Sequence, residues 1–104
     1  TQLLTWTASM IPVVNTGATR VEVTASTTAS CTIFSPAVEQ AAVGCRVKFY
    51  INNTSGGTLS LTWSGFKMET WVQPSSGQAS YIEFENRGSG SNWYQCSKQV
   101  VFTK

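Results

Sequence analysis

Few residue types in this chain can do chemistry. Its five acidic residues are all glutamate (Glu22, Glu39, Glu69, Glu83 and Glu85), and it has three cysteines but neither histidine nor aspartate. Nucleophilic catalysis needs a nucleophile, a base within hydrogen-bond reach and a group that orients the base. Without imidazole or aspartate, a single chain builds no Ser-His-Asp triad, Cys-His pair or imidazole metal cluster. Glu83 and Glu85 stand two apart, which on a strand puts both carboxylates on one face, as a paired acid and base would need. The simpler reading makes them the solvated face of a strand whose other face carries Ile82 and Phe84. Calcium wants several clustered carboxylates, usually including aspartate, and no stretch supplies them. The expectation is no catalytic residue, no metal site and no cofactor.

The informative side chains are the aromatics, 12% of the chain: four Trp, three Tyr and five Phe. Alternation assigns Trp63, Phe49 and Phe84 to the core. After Ser64-Gly65 the pattern breaks, and Phe66, Lys67, Met68, Glu69 and Trp71 follow no period that buries them. Exposed aromatics beside Lys and Glu can stack sugar rings or anchor protein partners. These five residues, with Trp93 and Tyr94, form the candidate binding or interface set, core and interface both remaining open for the stretch 66–71. Cys31, Cys45 and Cys96 match neither zinc nor CxxC spacing. They read as buried or half-buried thiols acting as small apolar residues, the other reading being one disulfide with a thiol left over. GSGS at 88–91 lacks a following helix and lysine, so it reads as a turn rather than a phosphate cradle. Asn52 and Asn53 open two overlapping glycosylation sequons, which a polar hairpin loop explains equally well.

The elements that must position these residues are strands. CRVKFYINN carries the sharpest alternation, with Cys45, Val47, Phe49 and Ile51 on one face and Arg46, Lys48, Tyr50 and Asn52 on the other. Val21 and Val23 oppose Arg20 and Glu22. Leu59, Leu61 and Trp63 repeat the period, and Ile82 and Phe84 oppose Tyr81, Glu83 and Glu85. Two more short runs surround NWYQC and KQVVFT. Turn residues separate them at Asn15 to Gly17, Asn52 to Gly57, Pro74 to Gly77 and Arg87 to Asn92. PAVEQAAVG, residues 36–44, favours a loop or single helical turn. The pattern predicts one all-β domain over residues 1–104, a single-domain antiparallel β-sandwich of jelly-roll type, with about seven to nine short strands.

Composition narrows the partners. Only 12% of residues are charged, and the net charge of +2 is spread as isolated Arg and Lys. No basic stripe marks a nucleic-acid or anionic-membrane surface. No run approaches the length of a membrane span and none has the form of a signal peptide. The chain opens on Thr1 rather than Met, which fits a fragment or a processed product.

The order of segments carries a resemblance. TRVEVTASTTASCTIFSPAVEQAAVGCRVKFYINNTSGGTLSLTWSG, then a loop, then QPSSGQASYIEFENRGSGSNWYQC, resembles the small β-rich modules of bacteriophage virion proteins: tail fibres, spikes, head fibres and capsid decorations. Pro36, Gly44, Asn52, Trp63, Pro74, Gly77, Tyr81 and Trp93 occupy the recurrent turn and aromatic places, over roughly residues 19–97. The resemblance implies a non-enzymatic, homotrimeric protein of the virion surface, made in the host cytoplasm. It implies attachment to other virion proteins of the capsid or tail, or binding to a host surface protein or glycan. It carries over no binding residues. The alternative reading is a stand-alone carbohydrate-binding module or lectin, with Trp71, Trp93 and Tyr94 as stacking platforms.

Overall fold

The computed structural model describes residues 2–13, 18–36, 43–87 and 93–104. They form nine strands: β1 (Gln2–Thr5), β2 (Ser9–Met10), β3 (Ala18–Ala25), β4 (Cys31–Phe34), β5 (Arg46–Asn53), β6 (Leu61–Ser64), β7 (Phe66–Lys67), β8 (Gln78–Asn86) and β9 (Trp93–Thr103). The turns expected at 15–17 and 87–92 and the loop or turn within 36–44 fall mainly outside the described residues, as does Glu39.

The chain is all-β, but its sheets are not antiparallel. A six-stranded sheet has the order β1-β3-β5-β8-β9-β7, and a three-stranded sheet the order β2-β4-β6. β1, β3 and β5 run parallel, as do β2, β4 and β6 and the short β7 with β9. Only β5 with β8 and β8 with β9 are antiparallel. Parallel neighbours cannot be joined by a tight hairpin and need a crossover. Here the crossover is the other sheet: β1–β2, β3–β4 and β5–β6 are successive rungs, each placing one strand in each sheet. The expected antiparallel pairing is thus corrected. Side chains alternate with period two whichever way the neighbouring strand runs, so periodicity carried no information on direction.

Alternation did identify the core. Val21, Val23, Val47, Phe49, Ile51, Ile82 and Phe84 of the larger sheet and Cys31, Ile33 and Leu61 of the smaller are each at most 3% exposed and join one cluster. Burying such a side chain contributes roughly 1.5–3 kcal/mol. Trp63 is half-buried rather than enclosed, its ring standing edge-on to Phe49 at 4.9 Å. Phe66 extends the aromatic group, 5.4 Å from Trp63 and 4.4 Å from Phe84.

One side of the molecule is closed by the chain itself. β6 of the smaller sheet passes through Gly65 directly into β7 of the larger. Gly65 has φ +85°, and a β-carbon there would collide with the Ser35 side chain, so only glycine makes this bend. Residues 68–74 continue as a strap, and its end is held by wholly buried Asn53, whose amide donates to the carbonyls of Gly57 and Pro74 at 2.7 and 3.0 Å.

Candidate interaction surface

One face of the six-stranded sheet turns to the core; the opposite face has no described layer over it and gathers aromatic and cationic side chains. Alternation along β3, β5 and β8 sends Arg20, Glu22, Arg46, Lys48, Tyr50, Tyr81, Glu83 and Glu85 outward. Register then lines up Leu3, Glu22, Tyr50, Tyr81 and Val100 across five strands. At about 4.8 Å per strand that row is roughly 19 Å long. Its ends are apolar and open, Leu3 being 77% and Val100 53% exposed.

Its centre is a stack of rings. Tyr50 and Tyr81 lie 4.9 Å apart, and Tyr81 lies nearly parallel to Phe102 at 5.5 Å. The Arg20 guanidinium sits 5.5 Å from both tyrosine rings, and the Lys48 ammonium 4.9 Å from Tyr81. Ring quadrupoles attract such cations. Tyr81 and, less strongly, Glu22 raise the guanidinium's pKa further, against a lowering by desolvation. A second cluster lies beside it, where Glu85 pairs with Arg46 at 3.3 Å and Arg87 at 3.4 Å while Arg87 covers the Tyr94 ring at 5.5 Å. These exposed ion pairs contribute little to stability. They fix the charges in place on this outer face.

The residues expected to bind are divided by the fold. Trp93 has no exposed surface at all, so it offers nothing to a partner and is corrected to core. Phe66, Met68 and Trp71 are half-buried and pack against that core, and the Trp71 indole donates to Gln73 Oε1 at 3.0 Å. Lys67 and Glu69 are exposed and, with Met68, Gln95, Ser97 and Lys98, line a shallow cavity of about 400 Å³. Tyr94, 36% exposed, belongs to the outer sheet face. Sequence reasoning passed over Tyr50, Tyr81, Phe102, Arg20 and Lys48 as a site. The signal was an aromatic at an outward position with charged residues two places away, in K-F-Y and in Y-I-E.

Glu83 and Glu85 do share the outer face, but both are engaged: Glu85 by its two arginines, Glu83 by the Cys96 thiol at 3.6 Å. None of the three cysteines forms a disulfide; Cys31 and Cys45 are buried and Cys96 half-buried. Burial, then the neighbouring Glu83, pushes the Cys96 thiol pKa up, and burial does the same for Cys31. No family model matches the chain, and no curated protein or solved structure does either.

Proposed function

We propose that this chain is a non-enzymatic structural module of a bacteriophage virion surface, a knob, fibre or spike head or capsid decoration, which attaches through the outer face of its six-stranded sheet. Its two sheets serve as the layers of a small sandwich-like scaffold beneath that face. The observation that carries the reading is the Tyr50–Tyr81–Phe102 stack with Arg20 and Lys48 over it, on a sheet face with no described layer above it. Aromatic residues and arginine are enriched in the buried centres of protein contacts. The segment order that resembles phage modules supplies the setting. A second reading, a stand-alone carbohydrate-binding module, is favoured by the same rings, since sugar faces stack on aromatic platforms.

Antibody labelling of particles produced by the encoding genome tests the proposal. Wild-type chain labels capsid or tail, and the double substitution Arg20→Ala, Tyr81→Ala folds but is not incorporated. Unlabelled particles, together with a folded monomer whose glycan-array signal disappears in the same variant, would instead establish the lectin.

A further inference from the structure

Two cations meet on the outer sheet face where a carboxylate would be expected between them. Register sets Arg20 of β3 directly opposite Lys48 of β5. Like charges opposite one another on neighbouring strands are destabilising. Both ends converge on one ring, the Arg20 guanidinium 5.5 Å and the Lys48 ammonium 4.9 Å from the centre of Tyr81. A ring attracts a cation without cancelling its charge. Across the next strand boundary Lys48 faces Glu83, but Glu83 accepts from the Cys96 thiol at 3.6 Å. Lys48 forms no ion pair among the described residues and its side chain is exposed.

The ion pairs of this face are tilted the same way. The Arg20 side chain is 41% exposed against 33% for Glu22, and those of Arg46 and Arg87 are each 54% exposed against 25% for Glu85. In every pair the glutamate is the more covered group. An approaching molecule therefore meets the cations first.

We propose that the partner taken by this face is an acidic protein surface, and that one of its carboxylates bridges Arg20 and Lys48 beside Tyr81. The assignment rests on the attachment through the outer face argued above and adds the chemistry of what is attached. Charge complementarity selects the partner. A second copy of the same face would set cation against cation. A phosphate polymer would bring negative charge against Glu22, Glu83 and Glu85 as well, whereas a protein can oppose carboxylates to the cations and donors to the glutamates. Arginine and aromatic rings together also suit the centre of a protein contact.

Carbodiimide coupling on purified particles tests this, because it forms an amide between a lysine amine and a carboxylate in contact with it and leaves arginine unjoined. Lys48 is expected to be joined to a glutamate or aspartate of another protein. Lys48→Arg keeps the charge, so it is incorporated but loses that bond. Lys48→Glu sets like charges together and is incorporated less by roughly tenfold or more. Lys98→Glu makes the same change of charge at the shallow cavity and is incorporated as wild type. Lys48 and Lys98 are exposed, so all three variants retain the wild-type circular dichroism spectrum. A Lys48 bond found only within this chain or to another copy of it, or full incorporation of Lys48→Glu, overturns the proposal. Particles without the wild-type chain overturn the virion reading alone, and immobilised polyglutamate then tests the acidic partner. The chain is retained at low salt, released as salt rises, and loses retention in Lys48→Glu but not in Lys98→Glu. No retention, or equal retention on polygalacturonate, overturns the protein partner.

Discussion

Asn53 is the residue whose replacement most directly tests how the closed side is held. It is wholly buried at the end of β5. Its amide donates to the Gly57 and Pro74 carbonyls at 2.7 and 3.0 Å, and its oxygen accepts from the Ser55 N–H and hydroxyl at 2.9 and 2.7 Å. Both donors and both acceptor positions of one side chain are thus used, tying the loop after β5 to the end of the strap. Asn53→Ala removes all four bonds, at a net value of about 0.5–1.5 kcal/mol each, and leaves carbonyls in partly dry surroundings. Because the bonds share one side chain they do not add fully, and the expected loss is about 2–4 kcal/mol. In a domain of this size that lowers Tm by on the order of 10 °C or more. Asn53→Asp is the sharper variant, since it keeps the acceptor but turns a second oxygen toward two carbonyls. Protonation restores one donor, so the folded carboxyl pKa lies above its unfolded value. Stability of this variant is then greatest below the ordinary carboxyl pKa near 3.9 and falls as pH rises through the raised one. Urea unfolding at pH 4 and pH 7 measures both effects. A loss below about 1 kcal/mol for Asn53→Ala, or an Asn53→Asp variant whose deficit is the same at both pH values, refutes the network's role.

Trp93→Ala empties the core and costs about 3–5 kcal/mol, whereas Phe66→Ala and Trp71→Ala, from half-buried sites, cost roughly half as much; a larger loss at Trp71 than at Trp93 in urea titrations would reverse that order. Thiol labelling of the native protein reaches Cys96 before Cys31, and slowly, because both thiols hold their protons more tightly than usual. Their raised folded pKa values keep the associated stability intact below the ordinary thiol value near 8.5 and remove it as pH rises above that. The alkaline loss is smaller in Cys31→Ala, and an unchanged pH profile in that variant would contradict the assignment.

What could be read from the residues was which side chains face inward. Val47, Phe49, Ile51, Ile82 and Phe84 were legible because a strand alternates faces and only one face here is dry. Strand direction was not legible, because the pleat alternates identically in parallel and antiparallel ladders. Trp93 was misread because the pattern around NWYQC is short, while Phe66 lies in a two-residue strand and Trp71 in a strap that is neither strand nor helix, so neither has a period to follow. Tyr50 and Tyr81 were placed outward by the same alternation, yet their meeting depends on the register between β5 and β8, which brings residues 31 positions apart directly opposite. No local pattern carries a register.

The glutamines explain why so weakly charged a chain can leave β sheets in water on one side. Lysine guards an edge by making approach of a second strand costly; an amide guards it by occupying the donors and acceptors that a second strand would need. Gln73 meets both backbone groups of Leu61 on β6 and so acts there as one peptide unit of an absent strand, while Gln99, reaching from β9, meets both groups of Val72 and ties the strap down. That device needs a strap close enough to reach, and Gly65 and Asn53 supply the bend and the anchor that bring residues 68–74 within reach.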